Sequence, residues 1–346
     1  MTRFTQALIL DIAYGHQVNT DDDALVKLGE STTHNIALAG SPGSMLVDFF
    51  PFLRYYPAWL PGSAWKKHID YTATMVKKMQ AVPYNTVKSS LVCLHLALCL
   101  TLIECYLTGD ETARYAENEK DIRGAATSLY TVASQIASAM QVFILAMLLH
   151  PNVRVKAREE MDRVVGSGRL PELYDRENLP YLNSIIKETY RWHPAVPLGI
   201  PHSTNQEDEY NGYTIPNNSM VIGNLWGMSR DEDVYSDPET FLPERFMNTN
   251  DALDPKGFVF GFGRRLCPGR EFADACIFMV LSNIVATMDF FRAKDEYGNE
   301  IAPQATFTNV LASRPERLDC VLKPRTQQAQ DLILLQDTDD ATFSVQ

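Results

Sequence analysis

The residue types around Cys267 favour the ionised form of its side chain. Glycines let backbone N–H groups approach a sulfur, while arginines and the N-terminus of a following helix add positive potential. All of these surround the cysteine: Gly261, Gly263, Gly269, Arg264, Arg265, Arg270 and a predicted helix that begins at residue 270. A thiolate serves as a nucleophile or as a metal ligand, so we predict one of these roles for Cys267 in place of simple packing in a turn.

The glycines of this stretch do not form a nucleotide-binding loop. A phosphate-binding loop requires Gly-Lys followed by Ser or Thr, and a dinucleotide fingerprint requires a third glycine where Leu266 stands. The signature of a papain-like cysteine nucleophile is also absent around Cys267. The other five cysteines are scattered without a Cys-x-x-Cys pair, which indicates neither a zinc site nor a disulfide framework.

A second set of charged residues could form a buried network. Glu188 and Arg191 are three residues apart on a predicted helix, so they lie on one face and can pair. Exposed pairs of this kind are common and contribute only about 0.2–0.5 kcal/mol. The segment Pro243-Glu244-Arg245-Phe246 adds another arginine, so we predict an interior network of Glu188, Arg191 and Arg245.

Long helices must carry these residues. Apolar residues from Ile122 to Leu149 recur at helical spacing, which predicts a helix about 40 Å long. Further helices are predicted from Pro151 to about Gly166, from Tyr181 to Trp192 and from Arg270 to Met288. An Asn-Gly pair within residues 209–215 predicts a β-hairpin with a type I′ turn. The expected fold class is therefore mainly α with a small β portion.

The composition excludes several classes of protein. The 346 residues are 45% hydrophobic and 21% charged, which is typical of a globular chain and excludes disorder or many membrane spans. An excess of 43 acidic over 31 basic residues gives a net charge of -12, which argues against a nucleic-acid partner. The N-terminus has no cleavage site and predicts an internal helix instead of a signal peptide.

One apolar run, Leu91 to Leu107, reaches the lower limit for a transmembrane helix at about 17 residues. His95 and Glu104 interrupt it, and both would be costly at the centre of a bilayer. We therefore expect a buried core helix, with membrane association as the alternative.

The charged and cysteine-containing segments together resemble the cytochrome P450 family of haem-thiolate monooxygenases, in particular its fungal microsomal members. The family's haem loop, Phe-x-x-Gly-x-Arg-x-Cys-x-Gly, is matched by five residues: Phe260, Gly263, Arg265, Cys267 and Gly269. Its Glu-x-x-Arg motif is matched by Glu188 and Arg191, and the segment around Arg245 lies between the two in the family's order. The resemblance implies one partial domain over residues 1–326, followed by a polar, acidic tail at 327–346 that we expect to fray.

This resemblance implies haem b as the cofactor, with Cys267 as the axial ligand of its iron. An anionic sulfur opposite bound oxygen donates electron density and favours cleavage of the O–O bond. Phe260 would pack near the ring and the sulfur, Arg265 would pair with a haem propionate, and His202 could do the same. The run Val196–Pro201 and the turn at 309–311 would face the substrate.

The implied activity is the insertion of one oxygen atom into an apolar small molecule, in secondary metabolism. Electrons would come from an NADPH-dependent cytochrome P450 reductase, for which Arg264, Arg270 and Lys256 would form a local basic face. The family works at the cytosolic face of the endoplasmic reticulum membrane, and we expect a monomer.

The chain departs from the family's pattern in two places. The family's central helix carries an acid followed by two threonines, where residues 130–136 read Tyr-Thr-Val-Ala-Ser-Gln-Ile, one residue short. Ser134 is the candidate hydrogen-bond donor there, with Thr131 second, although a complete proton relay is worth about 10²- to 10⁴-fold in rate.

The chain also begins after the family's membrane anchor, first helices and part of its small sheet, so we expect an N-terminally truncated form that is soluble or peripheral. Two functions remain open: the monooxygenase, and a catalytically impaired haem-binding remnant or incomplete gene product.

Overall fold

The computed structural model of the chain describes residues 1–20, 22–40, 46–57, 59–89, 115–247 and 252–343. These residues form two compact units, Met1–Ala137 with Val310–Ala312 (unit 1) and Ser138–Asn309 with Ser313–Gln346 (unit 2). The apolar run Leu91 to Leu107 lies outside the described residues, so its assignment as a core helix stays a prediction.

Unit 1 is built from helices whose ends follow local sequence signals. Its helices are α1 (Thr2–Tyr14), α2 (Ala24–Ala39), α3 (Leu46–Phe49), α4 (Ala64–Ser89) and the first part of α5 (Tyr115–Leu149). Gly15 ends α1 with a φ of 66°, a left-handed conformation that favours glycine. Asp23 begins α2, because its carboxylate accepts the backbone N–H groups of Leu25 and Val26.

The core of unit 1 lies between four of these helices. Its buried apolar side chains come from α1, α2, α4 and α5: Ile9, Leu10, Ala13, Tyr14, Leu25, Val26, Met79, Tyr84, Val87, Ile122, Ala126, Tyr130 and Ala133. Tyr130 is fully buried, and its hydroxyl donates a hydrogen bond to the backbone oxygen of Leu25. Gly29 makes room for this tyrosine, because a Cβ atom there would lie 2.6 Å from the Tyr130 Oη.

The proline-rich segment after α3 is not helical throughout, as its prolines predict. A short 3₁₀ helix covers Pro51–Tyr55, and several large side chains in and around it are exposed to solvent: Leu46, Phe49, Phe50, Phe52, Tyr55 and Trp59. Prolines remove backbone donors and keep the chain from forming a regular helix here.

The long helix α5 (Tyr115–Leu149) begins seven residues before its predicted start, Ile122, and ends where predicted. Pro151 follows it, and a proline there opens the next helix. Among the described residues, one stretch, Glu119–Leu149, is long and apolar enough to cross a membrane. Since 72% of its most apolar part is buried inside the protein, length and composition alone do not indicate a span.

Unit 2 contains α6 (Pro151–Val164), α7 (Pro180–Trp192), α8 (Leu225–Met228), α9 (Arg270–Thr287) and α10 (Gln327–Phe343). Both α6 and α7 begin with proline, the residue preferred at the first helical position. Glu160 of α6 is buried and accepts the backbone N–H groups of Tyr181 and Leu182 at 2.9 Å. It therefore satisfies the first turn of α7 and fixes the two helices together.

The strands of unit 2 form three antiparallel pairs. They are β1 (His202–Ser203) with β4 (Met220–Val221), β2 (Asp208–Tyr210) with β3 (Tyr213–Ile215), and β5 (Met288–Arg292) with β6 (Cys320–Pro324). The predicted hairpin is β2–β3, and Asn211 and Gly212 both have positive φ, at 52° and 80°. The expected fold class, mainly α with a small β portion, is confirmed.

The C-terminal segment differs from expectation. Residues 327–343, which we expected to fray, form α10. The Thr326 hydroxyl accepts the Ala329 N–H at 3.0 Å, and this cap begins a run of good helix formers. The polar composition of the segment, which is typical of a frayed tail, gave no indication of this cap.

Candidate functional site

A fully buried ion pair anchors the site from α7. Glu188 and Arg191 are both 0% exposed, and Arg191 donates Nε and Nη2 to the two carboxylate oxygens at 2.7 Å each. Arg245 joins them, with its Nε 3.2 Å from Glu188 Oε2. The structure thus brings together the three residues of the predicted network. Such two-point contacts between guanidinium and carboxylate are among the strongest hydrogen-bonded pairs.

The remaining donors and acceptors of this pair hold an irregular segment, residues 229–245. Arg191 donates to three backbone oxygens, those of Ser229, Pro238 and Thr240, at 2.9, 2.8 and 3.3 Å. Glu188 Oε1 accepts the backbone N–H of Leu242 at 2.8 Å. Every partner is needed, because a buried charge whose hydrogen bonds are incomplete costs several kcal/mol. The pair therefore organises a stretch of chain that contains no α-helix or β-strand and has a single 3₁₀ turn at its end, Pro243–Phe246.

The cysteine lies in a loop that turns back on itself. The backbone N–H of Cys267 donates to the oxygen of Phe260 at 2.8 Å, so the two ends of the loop are hydrogen-bonded. Gly261 and Gly263 have φ angles of 86° and 54°, which other residues adopt only with strain. Helix α9 begins at Arg270, three residues after Cys267, so its N-terminus is close to the cysteine.

The side chains of this loop are suited to a ligand that is partly apolar and partly anionic. Cys267 is a free, half-buried cysteine. Phe262 and Leu266 beside it are 48% and 37% exposed, which is unusual for large apolar side chains. Arg265 is exposed, and the described part of the chain offers its guanidinium no ion pair or hydrogen bond. The loop thus offers a sulfur, apolar surface and an uncompensated cation.

This donor set fits a haem and does not fit a metal held by protein ligands alone. The described residues contain no group of three or more His, Cys, Asp or Glu side chains that could hold a metal ion. A single sulfur suffices when a macrocycle supplies the other ligands of the metal, as haem does. Propionates of such a ring would find a cationic partner in Arg265.

Comparison with known proteins agrees with this geometry. The family model described as Cytochrome P450 matches residues 1–315. The chain belongs to the cytochrome P450 family.

Three similar relatives are fungal. The chain is 41% identical over 336 residues to Cytochrome P450 monooxygenase 176 and 42% identical over 352 residues to monooxygenase 136, both from Postia placenta. These alignments cover 96% and 99% of this chain but 65% and 66% of the relatives. Cytochrome P450 monooxygenase claR from Ampulloclitocybe clavipes is 37% identical over 340 residues, covering 95% of this chain and 61% of claR. The chain therefore spans slightly less than two thirds of the length of these P450 relatives.

The other predicted site residues of this P450 chain lie in different surroundings. His202 is exposed on the two-residue strand β1. Ser134 is half-buried in α5, and its hydroxyl donates to the backbone oxygen of Thr131 at 3.3 Å. It also lies 3.5 Å from the Gln135 side-chain oxygen, and among the described residues no carboxylate accepts its hydrogen bond. Ser134 is thus engaged within its own helix.

The predicted basic face of the P450 domain is smaller than expected. Lys256 turns inward, where its Nζ lies 2.7 Å from the buried carboxylate of Asp274. Arg270 pairs with its neighbour Glu271 at 2.7 Å. Of the three cations named from the sequence, Arg264 is the one for which the described part of the chain shows no ion pair. The partner of Lys256 lies 18 residues further along the chain, so sequence spacing gave no signal of it.

Two buried polar residues of unit 2 were not predicted. One is the carboxylate of Asp274, whose presence in the otherwise apolar part of α9 was the available signal. The other is His193, which is buried after α7, stacks on Phe307 with ring centroids 3.6 Å apart and lies 2.8 Å from the Ser313 hydroxyl. Burial and the nearby Arg230 lower the pKa of His193 to about 3, so the ring is neutral near pH 7.

Proposed function

We propose that this chain carries a haem-thiolate monooxygenase activity, which inserts one oxygen atom from dioxygen into an apolar organic substrate. The observation that carries the proposal is the half-buried, free Cys267 beside the N-terminus of α9, in a loop closed by the Cys267–Phe260 hydrogen bond. Family membership supports the general class of reaction. Electrons would come from an NADPH-dependent flavoprotein reductase, and the protein would act as a monomer at the cytosolic face of the endoplasmic reticulum membrane.

The residues of the loop would bind haem b in distinct ways. The Cys267 sulfur would bind the iron, and Phe260 would pack beside the sulfur. Arg265 and His202, both exposed, would contact the propionates. Bound haem supplies the activation of dioxygen, which amino-acid side chains cannot perform. The Glu188–Arg191 pair contributes by holding the segment that precedes the loop.

An apolar substrate and an acidic reductase are the partners that these surfaces favour. Leu198 and Ile200, in the run Val196–Pro201, are 39% and 55% exposed and would contact an apolar molecule. On the sulfur side, Arg264 is an exposed cation that could steer an acidic reductase even though the whole chain is negative. Within α5, the Ser134 hydroxyl is the proposed proton donor of the reaction.

The test of the ligand assignment is spectroscopic. Haem-loaded protein is reduced and exposed to carbon monoxide, and a thiolate ligand gives a Soret band at unusually long wavelength. We expect this band in the unaltered chain and in Cys276→Ala, a control that removes a half-buried cysteine of α9 outside the loop. We expect Cys267→Ala to lose it. A folded, unaltered chain without the band would contradict the proposal.

The test of the reaction uses an apolar probe, naphthalene, with reductase, NADPH and dioxygen carrying a heavy isotope. One labelled oxygen atom should appear in the hydroxylated product, as expected for insertion of a single atom from dioxygen. A product whose oxygen comes from water would contradict monooxygenase chemistry.

A further inference from the structure

One buried carboxylate, Asp274 of α9, binds three other parts of unit 2. Its side chain is 7% exposed. Asp274 Oδ2 lies 2.7 Å from Lys256 Nζ and 2.8 Å from Arg176 Nη2, and Oδ1 accepts a hydrogen bond from the Tyr190 hydroxyl at 3.1 Å. All three partners are donors, so the carboxylate is well satisfied despite its burial.

Lys256 and Asp274 lie on opposite sides of the cysteine loop in the chain. Lys256 lies in the 3₁₀ helix Pro255–Gly257, four residues before Phe260, where the loop begins. Asp274 lies in the helix that leaves the loop, seven residues after Cys267. The Lys256–Asp274 ion pair therefore joins the segment entering the loop to the segment leaving it, outside the Cys267–Phe260 hydrogen bond.

Tyr190 extends the same network to Phe260, the residue whose backbone is hydrogen-bonded to Cys267. Its ring meets the ring of Phe260 edge-on, with centroids 5.7 Å apart. Burial, followed by the neighbouring Asp274 carboxylate, raises the pKa of Tyr190 well above its usual range, so its hydroxyl stays protonated as a donor. The hydroxyl bond to Asp274 fixes the ring, and the ring limits where Phe260 can lie. The backbone oxygen of Phe260 in turn accepts the Cys267 N–H.

We infer that Asp274 is a positioning residue for the Cys267 thiolate, acting through Lys256 at the start of the loop and through Tyr190 on Phe260. This inference rests on the proposed function, because it assigns the network a role in keeping the sulfur on haem iron. The side-chain contacts of Asp274 are with Lys256, Arg176 and Tyr190. It acts by restricting the loop that carries the sulfur.

The first experiment needs no haem, so it tests the positioning itself. Hydrogen exchange of the peptide covering residues 260–269 is compared between the unaltered chain and Asp274→Asn, which keeps the size of the side chain and removes its charge. Hydrogen bonds to charged groups are stronger than neutral ones, so we expect exchange to become about tenfold faster. The matched control is Glu160→Gln, an equally buried carboxylate that caps α7 and has no contact with the loop. In Glu160→Gln, the peptide 260–269 should exchange at a rate within about twofold of its rate in the unaltered chain.

The second experiment measures ligation. The long-wavelength Soret band of the reduced carbon monoxide complex is followed over time in mild urea. We expect its decay to be about tenfold faster in Asp274→Asn and about threefold faster in Tyr190→Phe, which removes only the hydroxyl. Glu160→Gln should lower overall stability without this selective effect. If Asp274→Asn fails to fold, Lys256→Met breaks the same connection at its more exposed end.

The two experiments distinguish failure of the proposed function from failure of the positioning role of Asp274. An unaltered chain that never shows the band contradicts the proposed function, while the exchange result still decides whether Asp274 holds the loop. A normal band in the unaltered chain, with equal decay and equal exchange in Asp274→Asn and Glu160→Gln, overturns the positioning role alone.

Discussion

Arg191 and Glu188 face each other through two parallel hydrogen bonds of 2.7 Å, and neither side chain is exposed to solvent. This geometry differs from that of the exposed helical pair that a spacing of three residues usually produces. Because Arg191 also donates to three backbone oxygens, the pair acts as a structural centre for residues 229–245.

Replacing Glu188 should therefore strongly destabilise the folded protein. Glu188→Gln leaves the positive charges of Arg191 and Arg245 buried without compensation, and we expect the free energy of unfolding to fall by about 3–5 kcal/mol. Urea titration followed by circular dichroism measures this. The control is Glu119→Gln on α5, which weakens the partly exposed pairs with Arg123 and Lys88 and should cost about 1 kcal/mol or less. Equal losses in the two variants would show that burial adds nothing to the Glu188 pair.

A small residue is required where α2 meets Tyr130. A Cβ atom at Gly29 would lie 2.5 Å from the Gln6 side-chain oxygen and 2.6 Å from the Tyr130 hydroxyl oxygen. We expect Gly29→Ala to lower the free energy of unfolding by about 1–3 kcal/mol, because the rigid tyrosine must move. Gly124→Ala on α5 is the control, since nothing lies within 4 Å of its Cβ position. That change should stabilise the protein by about 0.5–1 kcal/mol, and a stabilising Gly29→Ala would contradict the packing.

The buried His193 should make stability depend on pH. Its folded pKa is lowered to about 3, whereas the unfolded value is about 6.5, so the unfolded chain binds the proton first as pH falls. Its contribution is therefore fully present above about pH 6.5 and is lost progressively between pH 6.5 and 3. Lowering the pH from 7 to 5 should cost about 2 kcal/mol through this group.

The variant His193→Gln tests this assignment, because it cannot titrate. Its unfolding midpoint in urea should fall less between pH 7 and pH 5 than that of the unaltered chain. Identical pH dependence in the two proteins would assign the acid sensitivity to other groups.

Loss of the Ser134 hydroxyl should lower the product formed per NADPH less than loss of a complete acid–alcohol relay would. Its hydroxyl already donates to the backbone oxygen of Thr131 and has no carboxylate partner among the described residues. With naphthalene as the probe, we expect Ser134→Ala to lower product formed per NADPH by about tenfold, below the 10²- to 10⁴-fold of a full relay. Hydrogen peroxide should rise correspondingly. Ser128→Ala, an exposed serine of the same helix that donates to the Gly124 oxygen, is the control. An unchanged yield in Ser134→Ala would remove this residue from the proposed chemistry.

Local signals in the sequence predicted most of the helices and the hairpin. Pro151 marks the start of α6, and Asn211-Gly212 adopts the positive φ angles that its turn requires. The Glu188–Arg191 pairing was also predictable, since both residues lie on one helix. Each of these features depends on residues close together in the chain.

The surroundings of those residues could not be predicted in the same way. Arg191 binds the backbone oxygens of Ser229 and Pro238, and a backbone acceptor has no residue-specific signature. The sequence predicts Lys256 in a basic surface, but its partner, Asp274, comes from a separate helix and holds it inward. The cap at Thr326 depends on one hydroxyl in front of a polar segment, and polar composition alone is also typical of a frayed tail. In all three cases the deciding contact depends on three-dimensional proximity or on a single hydroxyl.

The long reach of Arg191 has a consequence for synthesis in the cell. The oxygens of Ser229 and Pro238 lie 38 and 47 residues after it, so they leave the ribosome later than α7 does. At about 5–20 residues per second, α7 waits for several seconds with a charged face that has no backbone acceptors. During that interval water must solvate the Arg191 guanidinium, so the buried network of Glu188 and Arg191 is completed only after residues 229–242 have been synthesised.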